Sequence, residues 1–311
     1  MRILRLVLAA IGLFSLLGTY SIAAPKFSEW SAPVNLGPIV NSPANDATPA
    51  ISKSGASLYF ASNRTGNGSV GANDIWVSQW DEGLDAWGVP VNLGSVVNTI
   101  GIEASPALSR DEHWLFFHSN RSGNMDIWVS YREHAHDDLG WQPPIQLGAG
   151  VNSSFEESMG GFFENDDAGS PQIYFSSNRP RPSGPGTGFD LYVSDLLPDG
   201  TIGPARLILE LSSAAADPGM MVGPNGLEAF FYSTRSNAGA FGAADLWTAT
   251  RATVFDLWSA PWNLGPVLNT AGTDQRPYLS SDRRTLVFAS DRPDLDRSGG
   301  LDLYMTTRSR Q

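Results

Sequence analysis

Five carboxylates recur at one place in this chain: Asp46, Glu103, Glu157, Asp217 and Asp274, each five residues after a Val-Asn pair or its equivalent. Five arginines recur with them, Arg64, Arg121, Arg179, Arg235 and Arg292, each closing an apolar run with Ser-Asn-Arg or a variant. Acids held roughly 8 Å apart repel by about 2 kcal/mol per pair at an effective dielectric of about 20. A bound cation, neighbouring arginines, raised pKa values or water must offset that. The set reads in two ways. Either it is a site for a metal or a polyhydroxylated ligand, or each acid accepts hydrogen bonds from backbone and arginine to fix a turn. The arginines face the matching choice between ion pairs with these acids and recognition of an anionic ligand.

A group with a single chemical task should break a repeat, and two units do so. The third doubles its acid as Glu156-Glu157, has Gly160-Gly161 where others have Pro-Ala, and carries a long loop from Arg179 to Phe189. The fifth adds Gln275-Arg276 beside Asp274. Glycoside hydrolysis needs two carboxyls at a set separation, which Glu156 or Glu157 with Glu103 or Asp217 would supply. Asp294-x-Asp296-x-Ser298-Gly299, followed by Asp302, matches the first half of a calcium loop without its late Glu. It reads as a metal site or as an acidic turn. No cofactor is required by these residues, and Ca2+ is the ion they would take. His134-Ala-His136-Asp137-Asp138 reads as a solvated loop. Gly66-x-Gly68-x-x-Gly71 is followed by a strand-like run rather than a helix, so it is a hairpin loop and not a dinucleotide site.

Composition narrows the classes. The chain has 311 residues and no Cys, which removes disulfides, thiolate zinc sites and Cys nucleophiles. Its net charge is −12, from 32 acids against 20 bases, so a nucleic-acid partner is not expected. Residues 1–23 have the form of a secretory signal: Arg2 and Arg5, an apolar run from Leu6 to Leu17, then Ser21-Ile22-Ala23. The expectation is a mature chain from Ala24 with no membrane span, periplasmic or secreted, and monomeric.

The elements that position these residues come from repetition. Trp30-Ser-Ala-Pro-Val-Asn-Leu-Gly returns at Trp87 and Trp258, more loosely at Trp141, and without its Trp at Thr201. A second signature, Asp then Ile or Leu then an aromatic, stands at Asp74, Asp126, Asp190, Asp245 and Asp302. Five units follow, near 30–86, 87–140, 141–200, 201–257 and 258–311. Each has four short runs of aromatic and branched residues, in the second unit Ser105–Ser109, Trp114–Ser119, Asp126–Tyr131 and Pro143–Leu147. Gly and Pro make up 53 of the 311 residues, above the roughly 12% of an average chain, which suits strands joined by turns. Repeated four-stranded units of this length pack radially, as an all-β, five-bladed propeller of antiparallel blades. The last unit stops after its third run, and an orphan fourth, Ala32–Leu36, opens the mature chain. Pairing the two would close the ring.

The pattern from Asp46-Ala-Thr-Pro-Ala-Ile-Ser to Asp74-Ile-Trp resembles the WD40-like (PD40) repeat of TolB-type propellers. The turn after the first run departs from the Pro-Asp-Gly of those families: it is Lys53-Ser-Gly, Arg110-Asp-Glu and Asp282-Arg-Arg. The resemblance implies that the five acids lie near the mouth of a central channel, with the arginines on the same face. It also implies a binding or scaffold module for an envelope component, a glycan or a protein. The alternative is a carbohydrate-active enzyme of glycoside hydrolase type, with its acids at the channel mouth.

Overall fold

The computed structural model describes residues 27–164, 169–181, 188–236 and 239–311. The signal segment 1–23 lies outside the described residues, as do 182–187 of the long third-unit loop. The chain forms a five-bladed propeller with a single short helix among the described residues, Gly37–Val40.

Each blade is an antiparallel sheet whose first strand is innermost. Blade one is Asp46–Ile51, Ser57–Ser62, Asp74–Asp81 and Val91–Asn92, with Ala86–Trp87 also paired to the third strand. Blade two is Glu103–Leu108, Trp114–Ser119, Asp126–Tyr131 and Ile145–Gln146. Blade three is Glu157–Phe163, Gln172–Ser177, Asp190–Asp195 and Arg206–Leu207, and blade four is Gly219–Val222, Glu228–Ser233, Asp245–Thr250 and Trp262–Asn263. Blade five takes Asp274–Leu279, Thr285–Ser290 and Asp302–Thr307 from the C-terminal end and Val34–Asn35 from the N-terminal end. Val34 pairs with Met305 and Asn35 with Tyr304, which is the predicted closure. The fourth strands are shorter than their sequence runs because prolines flank them and cannot donate to the ladder.

A small sheet cannot hide both faces by itself, so neighbouring blades cover each other. Five buried apolar clusters result, one between each pair of blades. Phe60 and Trp76 meet Val287 and Leu303 across the closing interface, and Phe163 and Tyr174 meet Phe231 and Trp247 between blades three and four. Each such ring removed from water contributes about 1.5–3 kcal/mol. The recurring tryptophans sit at the outer corners. Trp30, Trp141 and Trp258 lie under the guanidinium groups of Arg308, Arg132 and Arg251 at 4.6, 4.4 and 4.2 Å.

Blade succession is set at the inner strand. The N–H groups of Asp46, Glu103, Glu157, Asp217 and Asp274 donate to the carbonyls of Leu301, Asn73, Met125, Phe189 and Ala244 in the preceding blade, each at 2.8 Å. Gly71 stands on such a crossing. A Cβ there would lie 2.0 Å from the Thr99 carbonyl oxygen, so the 66–71 hairpin loop tolerates no side chain at that point. No helix among the described residues is long and apolar enough to cross a membrane.

Candidate functional site

The five repeated acids are 0% exposed. Each meets its own arginine: Asp46–Arg64 at 2.5 Å, Glu103–Arg121 at 3.3 Å, Glu157–Arg179 at 2.9 Å, Asp217–Arg235 at 2.6 Å and Asp274–Arg292 at 2.8 Å. The second carboxylate oxygen accepts a backbone N–H four residues upstream, from Ser42, Thr99, Ser153, Ser213 or Thr270. Each arginine also lies over two rings of its own blade, as Arg64 does over Phe60 and Trp76 at 5.1 and 5.2 Å. These ten side chains fasten the turn between blades. The carboxylate oxygens are occupied there, and none of the acids opens to the channel.

The pair of carboxyls sought among Glu103, Glu157 and Asp217 is therefore not free to react, and Glu156 sits exposed on the turn. The Gly160-Gly161 break has a packing cause, since a Cβ on Gly160 would lie 2.4 Å from the Met220 carbonyl oxygen of blade four. Asp302 is buried and accepts N–H bonds from Ser298 and Gly299 and an amide bond from Asn35. The Asp294 carboxylate accepts the Asp296 N–H at 3.0 Å. Among the described residues no group of three or more His, Asp or Glu is arranged to hold a metal ion. Of the sequence-predicted set, Arg276 alone stands on the channel wall, where its Nη1 donates to Ser105 Oγ and Ser158 Oγ at 3.1 and 3.0 Å.

The roomiest part of the channel is at the other end of the inner strands. A chamber of about 210 Å3 is lined there by Phe162, Phe163 and Tyr278, with Lys53, Arg110 and Glu164 among its polar groups. Phe162 stacks on Phe116 at 4.4 Å, which fixes the aromatic wall. The turns between first and second strands supply the polar groups. Glu164 accepts the Arg110 N–H at 2.7 Å, and burial pushes its carboxyl above the usual range, with the Asp111 charge adding to the rise. Asp111 goes the other way. Burial alone would raise it, but hydrogen bonds from Ser109 Oγ and the His113 N–H hold it low. Glu112, on the same turn, accepts the Lys53 N–H and is buried.

Sequence reading passed over Glu164 and Asp111 because neither belongs to the repeated set. Two signals were present: the charged Arg110-Asp-Glu turn, which departs from the family pattern, and Glu164 at the end of the third unit's irregular first strand. Two carboxyls in neighbouring environments that move their pKa values apart can divide the work of proton donor and ionised partner.

No protein-family model matches the chain, and no curated protein is similar to it in sequence. Solved structures share its fold. A thermostable family-43 glycoside hydrolase is 15% identical with a TM-score of 0.59, covering 88% of this chain and 92% of that one. The catalytic domain of a Coprinopsis cinerea GH62 α-L-arabinofuranosidase is 12% identical with a TM-score of 0.58, covering 92% and 98%. An endo-arabinase from Bacteroides thetaiotaomicron is 15% identical with a TM-score of 0.56, covering 89% and 98%. These likenesses correct the expectation of a TolB-like binding or scaffold module, because the structures just named, which share this fold, are carbohydrate-cleaving enzymes. The repeat consensus encodes blade turns and interfaces, and those carry no information about what the channel holds.

Proposed function

We propose that the protein is a carbohydrate-active propeller whose sugar site is the aromatic chamber at the wide end of the channel. The observation that carries this reading is the pair of Glu164, which lines the chamber, and Asp111, exposed on the turn beside it, whose pKa values move in opposite directions. Glu164, whose carboxyl burial pushes up, is the proton donor to a leaving oxygen, and Asp111, held low by its hydrogen bonds, is the ionised partner. Phe162, Phe163 and Tyr278 offer flat apolar faces to a sugar ring, while Lys53 and Arg110 border it. Two of the structural neighbours are named as an α-L-arabinofuranosidase and an endo-arabinase, which supports the reading by analogy of fold. The reading includes export, from residues 1–23, and a PD40-like origin for the blades, from the Asp46 to Trp76 copy.

The test is turnover. Protein from Ala24 is incubated with alkyl α-L-arabinofuranosides, arabinan and arabinoxylan, whose leaving oxygens need a proton, and released reducing ends are measured beside Glu164→Gln. Release that the variant loses by about 10²–10⁴-fold supports the assignment. Release unchanged in the variant removes Glu164 from the chemistry, and no release or binding with any glycan overturns the reading.

A further inference from the structure

The position two residues after each ring acid is Thr48, Ser105, Met159, Gly219 and, in blade five, Arg276. A neutral position in four blades thus becomes a permanent cation in the fifth. Thr48, Ser105 and Arg276 have φ of 52°, 53° and 54°, left-handed values that residues with a Cβ adopt at a cost, and the strand registers shift there. Those bulges bring residues of all five inner strands to one narrow pocket of about 20 Å3, room for a group the size of one or two waters.

Arg276 is held ready in it. Tyr232 lies under the guanidinium at 5.1 Å, and Ser105 and Ser158 orient Nη1. The fourth blade's Gly219 leaves the space, since a Cβ there would lie 3.0 Å from Nη1. Beyond Ser158, His118 Nδ1 lies 3.1 Å from the serine oxygen and 3.3 Å from the Met159 nitrogen, so the imidazole is a neutral acceptor. Among the described residues no carboxylate pairs with Arg276, whose polar partners are Ser105, Ser158 and Tyr232. The ring arginines are each matched by an acid, whereas this one lacks a counter-charge on a channel wall whose other side chains are neutral. A partly buried cation without a counter-charge is costly to keep. The planar fork of a guanidinium matches a carboxylate through two parallel hydrogen bonds.

We propose that the Arg276 pocket receives the carboxylate of an acidic sugar, so that the ligand of this propeller is a uronate-containing glycan. The proposal rests on the carbohydrate reading and narrows its ligand class. Tyr278 lines both this pocket and the wide chamber, and the two lie in succession along the same inner strands.

Calorimetric titration of protein from Ala24 with galacturonate and digalacturonate, and with galactose and galactobiose, tests it. Acetate and sulfate serve as anions without a sugar. The acidic sugars should bind at least about tenfold more tightly than the neutral ones, the worth of one charge-assisted pair. Arg276→Gln should abolish that preference, and Ser105→Ala with Ser158→Ala should weaken it while the charge remains. Equal binding of acidic and neutral sugars overturns the proposal and leaves the carbohydrate reading in place. Uronate binding unchanged in Arg276→Gln also overturns it. If acetate or sulfate binds through Arg276 but no sugar does, the carbohydrate reading falls, and the uronate assignment falls with it.

Discussion

The Asn35 side-chain amide donates to the Asp302 carboxylate at 3.0 Å across 267 residues of sequence. The other side of Asn35, its carbonyl oxygen, accepts from the Gly37 N–H and from the Asn41 amide, both at 2.8 Å. One residue therefore ties the N-terminal strand to the last blade and shapes the turn that leads into the first. Equivalent amides, Asn92 to Asp74 and Asn263 to Asp245, tie the fourth strand to the third within blades built from continuous chain.

Asn35→Ala should cost about 1–3 kcal/mol, because a buried carboxylate loses a donor and an orphan N–H is left at the turn. Urea unfolding of the two proteins measures it. Removal of residues 27–36 should go further and leave the Asp302–Thr307 strand with an unpaired edge. Light scattering should then show self-association that the intact chain lacks, and a monomeric truncated protein of unchanged stability would refute this account of closure.

Arg292→Met should destabilise the fold by about 3–5 kcal/mol, since Asp274 would remain buried without its counter-charge. Adding Asp274→Asn should return part of that loss, as a neutral amide needs no partner cation. A double-mutant cycle by denaturant unfolding gives the coupling between the two. Coupling near zero would mean that Arg292 acts only through its stacking on Phe288 and Tyr304.

Blade number, strand order and ring closure were legible because they rest on repeated residues. Asp302-Leu-Tyr without a fourth run, and Ala32–Leu36 without a blade, had one way to combine. The repeated acids and arginines were legible as a pair of sets, but their burial was not, since the same ten residues could have lined a mouth or locked a turn. What separated the two was the N–H bond from each acid to the preceding blade, a contact between units that spacing alone does not display. Glu164 and Asp111 were hidden for the opposite reason. They occur once, on turns, and their character comes from the burial of Glu164 and from Ser109 and His113 beside Asp111. Arg276 was visible as a break in the pattern, yet only Gly219 and Tyr232, far off in sequence, make it a pocket.

Acid should weaken the fold through His118. The imidazole is fully buried, and burial together with the Arg276 charge lowers its pKa to about 3, against roughly 6.5 in an unfolded chain. The unfolded state therefore binds a proton that the folded state refuses between those limits. Stability from this group is whole above about pH 6.5 and falls as the pH drops toward 3, by at most about 1.4 kcal/mol per pH unit. Unfolding of wild type and His118→Gln at pH 7, 6, 5 and 4 isolates the effect. The gap between them should change in favour of the variant as the pH falls, and parallel lines would show that His118 does not titrate in this way.

On the proposed reading, Glu164 and Asp111 predict the shape of a pH profile. That reading needs Glu164 protonated and Asp111 ionised, so activity should rise through the depressed pKa of Asp111 and fall through the raised pKa of Glu164. Removing the hydroxyl that holds Asp111 down, by Ser109→Ala, should move the acid limb toward higher pH while leaving the alkaline limb in place. Phe162→Ala should let water to Glu164, lower its pKa and pull the alkaline limb toward acid. An aryl glycoside whose leaving group needs no proton should lose the alkaline limb in wild type and be far less affected by Glu164→Gln, since that limb reports proton donation alone. A limb that stays with such a substrate, or one that survives Glu164→Gln with the ordinary substrate, assigns the proton to another group.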